Sequence, residues 1–254
     1  MLPRTISLIA RKKYLLDSLP QAKFAFSTRR LSSKYYGAPC MLIARASDGK
    51  VIALGFRGDN LDKETLQVFG SGTDVYIQGW YDQSGNNRTL TETPDVPQIM
   101  FGGVLRTVNG MASPYFPGAG FLSNAGISTV PIFLMTTVAV VKVDSLVANR
   151  TIFGSNAVGG FKWRVNTSGL LSINKDGGIT IGTSNTPIDT GAYSVSASYD
   201  NTNWNMYLSG SLDGAGVNAQ TITASSARIG NSNAAEQMAG YIPEIMQFDM
   251  TGAI

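Results

Sequence analysis

The chain has 254 residues, 43% of them hydrophobic, which is enough for one large domain with a sizeable core. It contains no histidine, which excludes a Ser-His-Asp triad, a Cys-His pair and histidine-ligated zinc, so acid–base chemistry would rest mainly on carboxylates. The single cysteine, Cys40, excludes an internal disulfide, and its apolar surroundings in the sequence predict a buried small hydrophobe.

The net charge of +3 conceals a basic amino-terminal segment. Residues 1–34 carry eight Lys/Arg and one acid, whereas the remainder carries 12 basic and 16 acidic residues. We expect residues 1–30 to form an arm that docks onto an acidic protein surface. The expected docking residues are Arg4, Arg11, Lys12 and Lys13. The simpler alternative is a solvated helix and turn, and nucleic acid is disfavoured because the segment lacks Gly-Arg repeats and zinc or helix-turn-helix patterns.

Leucines at helical spacing predict a short helix between Arg4 and Leu19, which Pro20 would end. No apolar run approaches the ~20 residues of a membrane span. The apolar stretch at residues 6–10 is too short for a secretory signal, and its basic residues follow it rather than precede it.

From Pro39 onward the sequence pattern is that of β-structure. Asp48-Gly49 separates two apolar runs and predicts a hairpin between strands at residues 41–46 and 51–56. Residues 60–69 predict one helix, which Asn60 or Asp62 would cap and Gly70 would end.

Further short strands are expected along the rest of the chain, separated by Gly, Asn, Asp and Pro. They are expected at residues 74–80, 111–116, 132–143, 151–154, 161–166, 170–174, 179–181, 193–199, 205–208, 227–229 and 241–248. Val195, Ala197 and Tyr199 alternate with serines, which is typical of a half-buried strand. Regular spacing with turn signals predicts a β-sandwich.

A loop motif follows the strand at 74–80. It comprises Trp80, Tyr81, Asp82, Gln83, Ser84, Gly85 and Asn86. Its polar side chains can bond to nearby backbone and admit left-handed φ, so we interpret it as a structural motif that forms a tight loop. The alternative is a sugar site in which Asp and Asn bind hydroxyls and Trp80 or Tyr81 stacks on a pyranose.

This motif, together with residues 31–37, 43–48, 199–207, 227–231 and 238–245, carries a family resemblance. The segments resemble the catalytic domain of fungal α-L-arabinofuranosidase B and, more closely, concanavalin A-like domains of bacteriophage virion and tail proteins. The resemblance implies an all-β, concanavalin A-like jelly-roll sandwich over residues 31–254, with a short helical amino-terminal arm.

The catalytic residues of the arabinofuranosidase family have no counterparts in this sequence. The resemblance places the nucleophilic Glu in the strand at 161–166 and the acid Asp at 229–233, and neither stretch contains an acid. Glu236 is the nearest carboxylate. We therefore expect no catalytic residue, no enzyme activity and no cofactor. A metal site is not expected either, since a β-turn accounts for Asp200, Asn201 and Asn203 without calcium.

We therefore expect a non-catalytic bacteriophage structural protein, a head or tail decoration or fibre, made in the host cytoplasm and located in the virion. Other virion proteins would bind the arm, a homo-oligomer is compatible with a fibre, and a host-surface glycan is the further expected partner. The candidate carbohydrate-binding residues are Trp163, Arg164, Trp204 and Asn231. The alternatives are an adhesin whose primary role is carbohydrate binding and an arabinofuranosidase-like glycoside hydrolase.

Overall fold

The structure is a computed structural model that describes residues 14–19, 22–92, 97–128, 135–155, 157–200, 202–223, 226–231 and 236–249. The expected docking residues Arg4, Arg11, Lys12 and Lys13 lie outside the described residues. No helix in the described part of the chain is long and apolar enough to span a membrane.

Antiparallel strands dominate the described residues, so the prediction of an all-β jelly-roll fold is confirmed. In chain order the strands are β1 (Ala22–Ser27), β2 (Met41–Arg45), β3 (Val51–Leu54), β4 (Phe56–Arg57), β5 (Asn60–Leu61), β6 (Val75–Trp80), β7 (Leu90–Glu92), β8 (Gln98–Phe101), β9 (Val104–Leu105), β10 (Thr107–Val108), β11 (Met111–Ala112), β12 (Tyr115–Pro117), β13 (Leu122–Ser128), β14 (Met135–Val143), β15 (Arg150–Gly154), β16 (Phe161–Val165), β17 (Leu171–Lys175), β18 (Ile179–Thr183), β19 (Ala192–Tyr199), β20 (Asn203–Leu208), β21 (Ser211–Val217), β22 (Ser226–Ile229) and β23 (Ala239–Asp249).

One α-helix, α1 (Lys63–Phe69), lies among the described residues, and 3-10 turns occur at Leu15–Asp17 and Ser33–Tyr35. Asp62 caps α1 by accepting a hydrogen bond from the backbone N–H of Thr65, and Gly70 ends the helix, as the sequence predicts. Asn60 belongs to β5 instead. The predicted hairpin is also confirmed, since Gly49 has a φ of 69° between paired strands β2 and β3.

Nineteen of the described strands belong to one hydrogen-bonded sheet, and two runs of these strands face each other across the core. We call β1–β23–β14–β19–β20–β21 the back sheet, and β7–β13–β22–β15–β16–β17–β18 the front sheet. Phe24 of the back sheet meets Phe153 of the front sheet with ring centroids 5.5 Å apart, so a continuous apolar core lies between the layers. Cys40 is buried as expected, and burial raises the pKa of its thiol.

The predicted boundary between an arm at residues 1–30 and a sandwich from residue 31 is wrong. Strand β1 lies inside the expected arm, yet it pairs along its length with β23, and its Phe24 and Phe26 are fully buried. The sandwich therefore includes residues from Ala22 onward. Burial of the Phe24 and Phe26 rings stabilises the pairing of β1 with β23, although β1 lies in a basic segment of the chain.

The outer side of the back sheet carries a second, smaller apolar cluster. Ala25, Met246 and Val138 are neighbours in one row across β1, β23 and β14. Leu16 and Leu31 cover this row, and the backbone N–H of Leu16 donates to the carbonyl of Leu31 at 2.9 Å. The described residues before β1 are therefore packed on the back sheet.

Candidate functional site

A row of polar residues crosses the outer side of the front sheet. Directly opposed residues of antiparallel strands share a face, so the register defines the row. From β7 to β18 its members are Thr91, Ser123, Arg228, Gly154, Lys162, Asn174 and Thr180. Their strand neighbours Phe153, Trp163 and Ile173 point into the core instead.

A second row lies beside the first and contains Thr151, Arg164, Ser172 and Thr183. We call the two rows together the polar face. Several of its members are buried and therefore need hydrogen-bond partners. Ser172 Oγ donates to Asn174 Oδ1 at 2.9 Å, and Asn174 Nδ2 donates to Thr180 Oγ1 at 3.0 Å. The polar face is thus partly pre-organised by its own side chains.

Four charged residues form an ionic cluster on the polar face. Lys162 Nζ lies 2.5 Å from Asp176 Oδ1 and 2.9 Å from Glu236 Oε2. The guanidinium of Arg164 contacts the other carboxylate oxygen of Glu236. The Lys162 side chain is only 5% exposed, so its ammonium depends on these carboxylates to offset the loss of water.

Arg164 and Asn231, both predicted from the sequence, lie in chain segments that contact the same neighbouring residues at one end of the polar face. Gly230 N donates to the carbonyl of Ile152, and the adjacent Thr151 lies opposite Arg164. From the other side, Glu236 contacts Arg164, and the next residue, Gln237, forms an isolated bridge with Asn231.

Two polar atoms at this end of the polar face have unused hydrogen-bonding capacity. Arg164 Nε and Asn231 Oδ1 are buried and have no hydrogen-bond partner among the described residues. Asn231 itself is 5% exposed. A buried donor and a buried acceptor without partners are unfavourable, so a ligand hydroxyl that bonded to them would be stabilised.

The prediction that Trp163 stacks on a sugar is wrong. Its side chain is fully buried and lies opposite Phe153 and Ile173 on the core side of the front sheet. Alternation along β16 places Trp163 on one face and Lys162 and Arg164 on the other. Trp163 and Arg164 therefore cannot bind the same ligand on the polar face.

Trp204 is not part of the polar face either. It lies on β20 of the back sheet and is half-buried against the edge of the core. Its ring covers Gly182 and Gly216, where an added Cβ would lie 2.3 Å and 2.9 Å from the indole. The structure therefore does not bring Trp204 together with Arg164 and Asn231.

The loop motif at residues 80–86 fixes the neighbouring strand β1. Trp80 is buried in the core, and its ring lies 5.7 Å from that of Phe26. Asp82 Oδ1 accepts hydrogen bonds at 2.9 Å from the backbone N–H groups of Ala25 and Ser84. These contacts favour the structural interpretation of the motif, and Tyr81 is its half-buried member.

Gln83 and Asn86 extend this anchoring to the segment around β1. Gln83 Oε1 accepts from Leu31 N at 2.8 Å, and Gln83 Nε2 donates to the carbonyls of Ser27 and Arg29 at 3.0 Å. Asn86 Nδ2 donates to the carbonyl of Ala22 at 2.9 Å. The sequence indicated a loop that satisfies its own backbone, whereas much of its bonding goes to a distant segment.

Replacing Gln83 with leucine is expected to lower the free energy of unfolding by about 3 kcal/mol, because the buried N–H of Leu31 loses its side-chain acceptor and the carbonyls of Ser27 and Arg29 each lose a donor. Urea unfolding followed by tryptophan fluorescence measures this change. The control is Gln67→Leu on the exposed side of α1, which should change stability by less than about 0.5 kcal/mol. Equal midpoints for the two variants would show that Gln83 does not hold the segment.

The charges of the polar face do not balance among the described residues. Arg228 is half-buried, its Cζ lies 4.1 Å from the ring centroid of Phe121, and it forms no ion pair with a described residue. Burial lowers the pKa of Arg228, although a guanidinium stays protonated in proteins. The ionic cluster and Arg228 together carry three cations and two carboxylates.

No group of three or more His, Cys, Asp or Glu that could hold a metal occurs in the described residues. Asp200 Oδ1 accepts from the backbone N–H groups of Thr202 and Asn203, at 2.9 Å and 2.6 Å. These bonds are those of an Asx turn, in line with the turn interpretation of this segment. Asn201 lies outside the described residues.

Sequence reasoning missed Lys162, Asp176, Glu236 and Arg228 as members of one site. A partial signal is present in β16, which reads Phe-Lys-Trp-Arg-Val and therefore places its two cations on one face. The convergence of Asp176 and Glu236 on Lys162 has no local signal, because tertiary packing brings these residues together.

No protein-family model and no curated protein sequence matches this chain. Among solved structures, an arabinofuranosidase of glycoside hydrolase family 54, soaked with a cyclic sulfate inhibitor, aligns with a TM-score of 0.68 at 16% identity. An arabinofuranosidase complexed with arabinofuranosyl-α-1,2-xylobiose aligns with a TM-score of 0.68 at 14% identity. Each alignment covers 89% of this chain and 58% of the other chain, so this chain spans less than two thirds of those enzymes. At these identities the likeness establishes a shared fold, and the chain has the jelly-roll sandwich of the arabinofuranosidase domain.

Proposed function

We propose that this chain is a non-catalytic structural protein of a bacteriophage particle that binds carbohydrate on the polar face. The observation that carries the proposal is the position of Lys162 Nζ, in contact with both Asp176 and Glu236, beside the unpartnered Arg164 Nε and Asn231 Oδ1. The ammonium of Lys162 pairs with both carboxylates and so opposes hydrolysis of a glycosidic bond. The unpartnered donor Arg164 Nε and acceptor Asn231 Oδ1 favour binding of a sugar.

The ionic cluster supports the absence of catalysis. Retaining glycosidases place two carboxyl groups about 5–5.5 Å apart with the glycosidic bond between them. Asp176 and Glu236 both reach one ammonium, but that ammonium occupies the space where a glycosidic oxygen would have to lie. Glu236 is held on its other side by Arg164, so this carboxylate is paired with two cations.

The hydroxyl and amide groups of the polar face support carbohydrate as the ligand. Sugars offer closely spaced donors and acceptors, and the accessible hydroxyls of Thr91, Ser123 and Thr180 offer the same chemistry from one side of the sheet. The arabinofuranosidase whose structure contains arabinofuranosyl-α-1,2-xylobiose has the same fold. That fold is therefore compatible with a saccharide ligand.

Placement in a virion rests on the sequence resemblance to phage proteins and on the basic segment at residues 1–34. The chain would be made in the host cytoplasm and would bind an acidic surface of another virion protein. Deleting residues 1–13 removes four of the basic residues and none of the described residues. The full chain should be incorporated into particles and the truncated chain should not, and equal incorporation would overturn this placement.

The carbohydrate proposal is tested with two measurements on the full chain. Incubation with 4-nitrophenyl α-L-arabinofuranoside should release no nitrophenol, and an array of bacterial surface polysaccharides should contain at least one that binds. Asn231→Ala should weaken that binding about fivefold, through loss of one hydrogen bond. The control Asn205→Ala, on the back sheet, should leave it unchanged.

Each of these measurements has an outcome that contradicts the proposal. Turnover of the arabinofuranoside would overturn the non-catalytic assignment. An array with no bound polysaccharide would overturn the carbohydrate assignment, as would an equal loss of binding for the two asparagine variants.

A further inference from the structure

We propose that the ligand of the polar face is an acidic carbohydrate, whose sugar carboxylate is bound by Arg228. This inference rests on the proposed carbohydrate function and specifies its ligand class.

The position of Arg228 is the first step of the argument. Ala227 and Ile229, its neighbours in β22, are buried in the core, so alternation directs Arg228 to the outer side of the front sheet. Ser123 and Gly154 lie opposite Arg228 on the flanking strands. Arg228 is therefore one strand away from β16, which carries the ionic cluster.

The second step is the state of the guanidinium. It lies over the ring of Phe121, and this contact covers one of its flat sides while leaving the N–H groups at its edge. No described carboxylate is paired with it, whereas Lys162 and Arg164 each have one. A partly buried cation without a counter-ion is unfavourable, and a carboxylate bound in a bidentate arrangement would offset that penalty.

The third step is the surface beside Arg228. On the β16 side Gly154 is buried, and an added Cβ there would lie 3.1 Å from the carbonyl oxygen of Phe161 and 3.2 Å from the Cα of Lys162. On the other side of Arg228 in the polar row, Ser123 is half-buried and Thr91 is exposed. A sugar whose carboxylate bonded to Arg228 would therefore lie on the side of Ser123 and Thr91.

Together these observations favour an acidic sugar over a neutral one. The ionic cluster is neutral by pairing, so the surplus charge of the polar face among the described residues belongs to Arg228. A neutral oligosaccharide would leave this cation without a counter-ion, whereas a uronic acid would neutralise it and use its hydroxyls on Ser123 and Asn231.

The test uses matched probes that differ only in charge. Tetragalacturonate and a hyaluronan tetrasaccharide are each compared with their carboxyl methyl esters by calorimetry on the full chain. At least one acid form should bind about 10-fold to 100-fold more tightly than its ester, which is the range of a charge-assisted hydrogen bond. Arg228→Met should remove this difference.

The matched control is Arg106→Met. Arg106 also stacks on aromatic rings, with its Cζ 5.0 Å from Phe101 and 4.5 Å from Tyr115, but it lies outside the polar face. The Arg106→Met variant should still bind the acid form more tightly than the ester. The inference would be overturned if both arginine variants lost the preference for the acid form equally, or if the esters bound as tightly as the acids. Either result would leave the proposed carbohydrate binding intact. If no probe and no polysaccharide on the array binds, the proposed function itself fails.

Discussion

Replacing Gly230 with alanine is expected to destabilise the protein by about 2–6 kcal/mol, from backbone strain and overpacking together. Gly230 has a φ of 87°, a conformation that disfavours residues with a Cβ. An added Cβ would lie 2.3 Å from the ring of Phe116, which is fully buried and cannot move away without disturbing the core.

The control for this variant is Gly210→Ala. Gly210 has a φ of 85° in the turn between β20 and β21, and an added Cβ would meet nothing within 4 Å. Its alanine variant should therefore carry only the strain, about 1–2 kcal/mol. The difference between the two midpoints in guanidinium unfolding isolates the clash with Phe116. Similar midpoints would mean that Phe116 rearranges at no cost.

Replacing Lys162 with methionine is expected to destabilise the protein by about 3–5 kcal/mol. The substitution keeps most of the apolar stem but removes the ammonium that contacts Asp176 and Glu236. Arg164 still neutralises Glu236, so Asp176 is left as the uncompensated charge. Equilibrium unfolding in urea measures the loss.

Two further variants separate charge from packing in this prediction. Lys162→Met combined with Asp176→Asn should recover part of the stability, because the uncompensated carboxylate is gone. Lys50→Met on the exposed hairpin should change stability by less than about 0.5 kcal/mol. A double variant no more stable than Lys162→Met alone would attribute the loss to packing.

The sequence predicted elements whose signals are local. Alternation in β19, the Asp-Gly turn before β3 and the capped helix α1 are all present, because each depends on residues within one element. Strand β1 was assigned to the arm because of the basic charge of residues 1–34. Its Phe24, Ala25 and Phe26 are all buried, so no alternation of apolar and polar residues indicates the strand.

Strand β21 was missed for a different reason. It contains Gly214 and Gly216, which are typical of turns, but both glycines lie beneath the ring of Trp204. A strand interior that lacks side chains is disfavoured by local propensity and is stabilised here by packing from the adjacent strand. That packing depends on the fold and has no local sequence signal.

The candidate site was only half predictable from the sequence. Arg164 and Asn231 were identified and lie in segments that contact the same neighbouring residues, but they were grouped with Trp163, which alternation along β16 places in the core. The ionic cluster depends on Glu236, which is 74 positions from Lys162 in the chain. Such a pairing is set by the packing of the sheets and not by any motif.

The apolar cluster that Leu16 and Leu31 cover has a consequence for orientation. It seats the described residues before β1 on the outer side of the back sheet, whereas the polar face lies on the outer side of the front sheet. The full thickness of the core separates these two surfaces. Any partner that bound the chain through the segment before β1 would therefore contact the back sheet and leave the polar face on the opposite side of the molecule.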